Sequence, residues 1–162
     1  MSDTRLDAAD LRILAAIQAE GRITKLALAQ RVGLSPTPCW NRLKRLEDAG
    51  ILTGYRARLK VRAIAPVTEF LVQVTLEHHR QSDFDRFERA MRATPAVTCC
   101  WAVGGGVDYM LKIVSHSIDA YQRLLDGWLE QEIGIARYYT YVVTRTVKEE
   151  VDAPVELLAA KE

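Results

Sequence analysis

The sequence of 162 residues lacks the features that mark membrane-spanning, disulfide-rich and zinc-binding proteins. No apolar run approaches the roughly 18 residues that a transmembrane helix needs. Its three cysteines, Cys39, Cys99 and Cys100, are too few and too unevenly spaced for a zinc site or a disulfide framework. The first ten residues are polar and acidic, which is not the pattern of a signal peptide. We therefore expect a cytoplasmic protein with reduced thiols, without a metal, a cofactor or a membrane partner.

The formal net charge of +1 conceals two oppositely charged halves. Residues 1–62 carry 12 Lys and Arg against 6 Asp and Glu, whereas residues 63–162 carry 10 against 15. A basic part joined to an acidic part suggests one module that binds a polyanion and another with a different task. Ordinary scatter of charge is the alternative, and composition alone leaves it open.

Three short helices are predicted in the first fifty residues. The first spans 10–20, the second begins at the cap Thr24 and ends at Gly33, and the third begins at the cap Ser35 and ends at Gly50. The third helix should bury one side, formed by Cys39, Trp40, Leu43, Leu46 and Ala49. Its other side should face outward and comprises Thr37, Asn41, Arg42, Lys44, Arg45 and Asp48.

The second and third helices, separated by only three residues, match a helix-turn-helix that places its second helix in the major groove of DNA. Short polar groups near the start of such a helix read base edges, and cations further along bind phosphates. We predict that six residues bind DNA: Ser35, Thr37, Asn41, Arg42, Lys44 and Arg45. Basic residues alternate in the following extended segment and suggest a wing: Arg56, Arg58, Lys60 and Arg62. A plain helical hairpin with a solvated basic face is the alternative.

The second half of the chain follows the order β-α-β-β-α-β, which predicts a ferredoxin-like unit. The strands are expected at 69–76, 97–103, 107–114 and 135–147, and the helices begin at Ser82 and Ser117. The strand at 97–103 is apolar on both sides, so a partner subunit should cover the sheet face without helices. The predicted fold class is α+β. Its parts are a winged helix-turn-helix at 1–62, a linker at 63–67, a sensing and dimerisation domain at 68–150, and a polar tail at 151–162.

Three segments resemble the leucine-responsive regulatory protein/AsnC family of transcription regulators. They are LDAADLRIL at 6–14, SPTPCWNRLKRLEDAGIL at 35–52 and TRTVK at 144–148, and the resemblance extends over the chain up to Glu150. It implies a winged helix-turn-helix, a ferredoxin-like domain, homodimers formed through the sheets and often octamers. It also implies effectors that are commonly amino acids.

A glycine-rich segment at 104–106 joins two predicted strands, and Asp108 follows it. Glycine lets the backbone approach a ligand, and Asp108 would accept hydrogen bonds from a ligand ammonium while loop N–H groups bind its carboxylate. A tight hairpin turn without a ligand is the alternative. The family resemblance places this stretch at the effector cleft between dimers. The predicted effector-binding residues are Trp101, Gly104, Gly105, Gly106, Asp108, Tyr109 and Thr140. For Trp101, Tyr109 and Thr140 taken singly, packing in the core is the alternative.

Three functions remain open at this point. The first is a DNA-binding regulator that responds to an amino acid or a derivative. The second is an architectural DNA-binding protein without an effector, and the third is a small ligand-binding or enzymatic domain with an added helical hairpin. No Ser-His-Asp or Cys-His set is visible, so we expect no enzyme. The segments 101–109 and 119–123 also resemble family members linked to catabolic operons, including that for breakdown of the compatible solute ectoine.

Overall fold

A computed structural model describes residues 6–148 and 152–155. The chain divides into two compact units. Among the described residues, 6–58 and 152–155 form the first, and Leu59–Lys148 forms the second. In the described part of the chain, no helix is long and apolar enough to cross a membrane.

The first unit contains the three predicted helices: α1 (Ala8–Ala19), α2 (Lys25–Val32) and α3 (Pro36–Asp48). Asp7 caps α1 by accepting hydrogen bonds from the N–H groups of Ala9 and Asp10. The Thr24 hydroxyl accepts from the N–H of Ala27 and caps α2, as predicted. The second helix ends at Gly33, which has a φ of 70° and so adopts the left-handed conformation that favours glycine.

The core of the first unit lies between these helices. Its buried residues include Ile13, Ile17, Leu28, Val32, Cys39, Leu43 and Leu46. The prediction that Trp40 and Ala49 are also buried is wrong, because both are exposed. Successive residues of a helix lie about 100° apart, so Trp40 falls on the flank of α3, beside the buried row rather than in it. Val155, from the segment predicted to be a polar tail, is buried against this core.

The segment after α3 differs in part from the prediction. Residues 53–60 adopt neither helix nor strand, and the short helix α4 (Val61–Ile64) follows. The predicted linker at 63–67 therefore begins inside a single helical turn. This turn ends before Pro66, since the residue preceding a proline disfavours the helical conformation.

The second unit is an antiparallel sheet with two helices. In chain order its elements are β1 (Thr68–Leu76), α5 (Gln81–Ala93), β2 (Val97–Ala102), β3 (Tyr109–Ser115), α6 (Ile118–Glu130) and β4 (Ile135–Val142). The strand order is β2-β3-β1-β4, which is the predicted ferredoxin-like arrangement. The last strand is shorter than predicted, because Val142 pairs with Phe70 and β1 begins only two residues before it.

The helices cover one face of the sheet and leave the other open. The covered face carries the core residues Phe70, Val72, Val74, Leu111 and Ile113. Register places Leu71 opposite Tyr141 and Trp101 opposite Met110 on the other face. Leu71, Tyr139, Tyr141 and Trp101 are all exposed. The alternation predicted for β1 is confirmed, with Phe70, Val72 and Val74 on one side and Leu71 and Gln73 on the other.

Candidate functional site

Three of the predicted DNA-binding residues form an exposed row on α3. Thr37, Asn41 and Lys44 are exposed, and helix geometry places them within about 60° of one another. This row lies on the side of α3 opposite its buried residues. We call it the outward row. A threonine hydroxyl, an asparagine amide and a lysine ammonium aligned in this way suit contacts with base edges and a neighbouring phosphate.

Ser35 stands immediately before this row, at the N-cap position of α3. Its side chain makes no capping hydrogen bond, although the sequence predicts a cap. Pro36, in the first turn, has no N–H to be satisfied there. The Ser35 hydroxyl is therefore not committed to capping, and the residue is exposed beside the outward row.

Arg42 and Arg45 lie on one flank of α3 and are tied to the first helix. Arg42 Nη1 lies 2.9 Å from Asp10 Oδ1, and Arg45 Nη2 lies 2.5 Å from Asp10 Oδ2. Asp10 is fully buried, whereas the Arg42 and Arg45 side chains remain 31% and 49% exposed. The prediction that both arginines simply face outward is therefore incomplete, because each compensates a buried carboxylate.

Asp7 extends the same ion-pair network. Its Oδ2 lies 2.7 Å from Arg42 Nη1. The pKa of Asp7 is lowered to about 2, because its ionised form accepts hydrogen bonds from the N–H of Asp10, which is the larger cause, and from the Arg42 guanidinium. Hydrogen bonds to Asp7 and Asp10 raise the pKa of Arg42 in turn. The network fixes the start of α1 against α3, and so positions the outward row.

Trp40 lies on the other flank of α3 and contacts the second helix. Lys25 Nζ, from the first residue of α2, lies 3.3 Å from the centroid of the Trp40 ring. The Trp40 side chain is 37% exposed. A cation–π contact with a partly exposed indole thus borders the outward row.

The predicted wing residues do not form a strand, although Arg56, Arg58, Lys60 and Arg62 are all exposed. Arg62 Nη2 lies 3.6 Å from Glu69 Oε1, so its charge is partly compensated.

The glycine-rich loop is anchored to the end of β1 by Asp108. Asp108 Oδ2 accepts a hydrogen bond from the N–H of Leu76 at 2.8 Å, and Oδ1 lies 2.9 Å from Nε2 of His79. Both carboxylate oxygens therefore have partners within the chain. Gly105 has a φ of 138°, a conformation that side-chain-bearing residues rarely adopt.

The other predicted effector residues have separate surroundings. Tyr109 is buried, and its hydroxyl donates to Glu88. The pKa of Tyr109 is raised to about 12, mainly because the side chain is buried and secondly because its hydroxyl is hydrogen-bonded to Glu88. Trp101 is exposed on the open sheet face, whereas the Thr140 hydroxyl hydrogen-bonds with the Tyr121 hydroxyl on the covered side. Because β3 and β1 separate β2 from β4, a single chain does not bring Trp101 and Thr140 together.

A cleft of about 370 Å³ opens beside the loop. It is lined by Gln81, Phe84, Glu88, Ala102, Val103, Asp108 and Tyr109. The contribution of α5 to this cleft was not predicted, although Gln81, Phe84 and Glu88 recur at the spacing of one helix face. The contact of His79 with Asp108 has no local signal in the sequence, because it joins residues 29 positions apart. Among the described residues, no group of three His, Cys, Asp or Glu is placed to hold a metal ion.

A helix-turn-helix with an exposed polar row, together with an antiparallel sheet unit that has a cleft beside a glycine-rich loop, defines a DNA-binding regulator with a separate ligand-binding domain. Two family models match the chain accordingly. Residues 6–53 match a winged helix-turn-helix DNA-binding domain, and residues 69–152 match the Lrp/AsnC ligand-binding domain. The chain belongs to the Lrp/AsnC family of transcription regulators. The predictions of the family, of the α+β fold class and of a regulator rather than an enzyme are confirmed.

Individual proteins of this kind align over nearly the whole chain. The transcriptional regulatory protein DoeX of Halomonas elongata is 50% identical over 144 residues, which are 89% of this chain and 91% of that protein. The leucine-responsive regulatory protein of Haemophilus influenzae is 38% identical over 89% of this chain and 87% of its own length. The crystal structure of a transcriptional regulator from Neisseria meningitidis in complex with L-Met has a TM-score of 0.89 and 30% identity. The structural match covers 95% of this chain and 99% of the Neisseria meningitidis chain.

Proposed function

We propose that this regulator reads double-stranded operator DNA with the outward row of α3 and changes its DNA affinity when an amino acid, or an amino-acid derivative, binds beside the glycine-rich loop. The cleft lined by α5 and by Asp108 is the observation that carries the ligand part of this proposal. It is supported by the Neisseria meningitidis regulator, whose structure contains L-Met.

The roles of the loop residues follow from their contacts. Asp108 holds the loop in shape, because its carboxylate already bonds Leu76 and His79. Gly104, Gly105 and Gly106 are not among the residues that line the cleft. In this proposal, the carboxylate of an amino acid binds backbone N–H groups of the loop where the loop borders the cleft. Phe84 and Tyr109 supply apolar walls of the cleft. Trp101 and Thr140 would join such a site only where a second chain brings them to it.

A dimer formed through the open sheet faces is part of the proposal. Leu71, Trp101, Tyr139 and Tyr141 are between 37% and 51% exposed in the single chain. Covering such an apolar face in a stable dimer typically buries on the order of 1,600 Å². A higher oligomer, such as the octamer that the family resemblance implies, and a cytoplasmic location remain parts of this proposal.

Two measurements on the chain with both of its units test this proposal. A random pool of double-stranded DNA is enriched on the protein, and the selected sequence is assayed over a range of salt concentrations. A thermal-shift panel of amino acids, together with ectoine and its breakdown products, then identifies the ligand, and DNA binding is measured with and without it. We expect a ligand that raises Tm and changes DNA affinity, since an effector must bind two states unequally.

The two alternatives predict different results. An architectural protein would bind DNA with no ligand-dependent change. This alternative is favoured by the fact that both oxygens of the Asp108 carboxylate already have partners within the chain. A ligand-binding module with an added hairpin would bind a ligand but show no salt-dependent DNA binding.

A further inference from the structure

The contact between Lys25 and Trp40 lies outside the buried core of the first unit. Trp40 keeps 37% of its surface exposed, although it is a large apolar residue on a helix whose buried side has three smaller residues. Lys25 is also exposed, and its Nζ lies 3.3 Å from the ring centroid. As a link between α2 and α3, an exposed cation–π contact of this kind contributes only about 0.5–1 kcal/mol.

The position of Trp40 on α3 places it next to the outward row. Helix geometry sets it about 40° from Lys44 and about 60° from Thr37. It lies on the opposite flank from Arg42 and Arg45, which are engaged by Asp10. A helix that enters the major groove through its outward row therefore brings the Trp40 ring to the edge of the same groove.

The chemistry of the pair fits two neighbouring groups of DNA. The ammonium of Lys25 occupies one face of the indole, and the part of the ring that stays exposed can contact a base. Among the four bases, thymine is the one that presents an apolar group, its C5-methyl, in the major groove. An ammonium held over an aromatic ring keeps its charge and has hydrogen-bond donors directed away from the ring, as binding to a phosphate requires.

We propose that Lys25 and Trp40 form one DNA-contacting unit, in which the edge of the indole contacts a thymine methyl group and the ring holds Lys25 in place for an adjacent phosphate. This inference rests on the proposed function, because it requires that the outward row faces the major groove. It makes Trp40 a specificity-determining residue and Lys25 a phosphate contact.

The test uses the full-length chain and the DNA sequence enriched on it. Each thymine of that sequence is replaced in turn by uracil, which removes only the methyl group. For the wild type, we expect one position at which the replacement weakens binding by about fourfold, the effect of losing one buried methyl group. Trp40→Ala should lose this difference between thymine and uracil, and Trp40→Phe should retain most of it.

Lys25→Gln tests the other half of the unit. It should reduce the slope of log affinity against log salt by about 1 and leave the discrimination between thymine and uracil unchanged. Gln30→Ala, an exposed substitution on the same helix, is the matched control and should change neither quantity. Circular dichroism checks the fold of each variant. Trp40→Gln, which also lacks an apolar ring edge and should also lose the discrimination, takes the place of Trp40→Ala if the alanine variant does not fold.

The same thymine-to-uracil profile in the wild type and in Trp40→Ala would overturn the role of Trp40. An unchanged salt slope in Lys25→Gln would overturn that of Lys25. Loss of discrimination at a guanine instead of a thymine would also contradict the proposed contact. If no DNA sequence is enriched, or if Asn41→Ala binds every sequence as the wild type does, the proposed function itself fails. These results separate the two claims.

Discussion

The carboxylate of Asp108 lies 2.9 Å from the imidazole Nε2 of His79 and so joins the glycine-rich loop to the residues that follow β1. Its other oxygen accepts the N–H of Leu76 at 2.8 Å. A ligand that binds beside this loop would therefore meet a backbone whose shape depends on one side chain. Asp108 therefore links the conformation of the glycine-rich loop to the end of β1.

Replacing Asp108 tests this coupling. Asp108→Ala leaves the Leu76 N–H without its acceptor and should lower the free energy of unfolding by about 1 kcal/mol. It should also abolish the ligand response while leaving DNA binding without ligand near the wild-type value. Asp108→Asn keeps an oxygen acceptor and is the matched control. Calorimetry with the identified metabolite measures the ligand affinity, and equal affinity in the wild type and in Asp108→Ala would place the site elsewhere.

The strained glycine of the loop gives a second prediction. Gly105 has a φ of 138°, whereas Gly104 and Gly106 do not have positive φ values. Gly105→Ala should therefore destabilise the protein by about 1–3 kcal/mol, and Gly104→Ala, which meets no neighbouring atom within 4 Å, should have little effect. Thermal unfolding of the two variants provides the comparison. Equal midpoints would show that the loop changes conformation without cost.

The ion pairs of Asp10 affect how DNA-binding variants must be interpreted. The double variant Arg42→Ala/Arg45→Ala leaves a fully buried carboxylate without either guanidinium. It should lower the free energy of unfolding by about 3 kcal/mol, so that weaker DNA binding would partly reflect unfolding. Lys44→Ala, on the exposed outward row, should weaken DNA binding with a stability change below about 0.5 kcal/mol. Urea denaturation together with DNA titration separates the two effects, and a double variant of wild-type stability would contradict this role for Asp10.

The sequence predicted the elements of this fold better than their side-chain partners. Helical and strand periodicity located every helix from α1 to α3 and the alternation of β1, because burial repeats along each element. The pairing of Arg45 with Asp10 spans 35 positions and has no local signal. Trp40 was misplaced because a flank position lies between the buried and exposed sides. The end of β4 was missed because strand length depends on the partner strand.

Acid pH should weaken the first unit through Asp7. Its folded-state pKa of about 2 lies below the ordinary value of 3.8, so its contribution to stability is complete above about pH 4 and is lost as the pH falls toward 2. The midpoint of urea unfolding should therefore fall over this range in the wild type. Asp7→Asn should be less stable than the wild type at pH 5, and its urea midpoint should fall less between pH 4 and pH 2. The exposed Asp126→Asn is the control, and the same decline in Asp7→Asn as in the wild type would contradict the assignment.

The open sheet face gives the last prediction, which concerns assembly. Leu71 is 37% exposed at the centre of this face, where it lies opposite Tyr141. A glutamate there would bury a charged carboxylate in the proposed dimer. Removing this charge from water costs several kcal/mol even beside Lys112, its cross-strand neighbour, so Leu71→Glu should weaken dimerisation by at least about tenfold. Leu129, which is 43% exposed on helix α6, supplies a matched control in Leu129→Glu. Sedimentation velocity at micromolar concentration should show a dimer or larger assembly for the wild type and the control, and a monomer for Leu71→Glu. A monomeric wild type, or an unchanged assembly in Leu71→Glu, would show that the chain does not associate through this face.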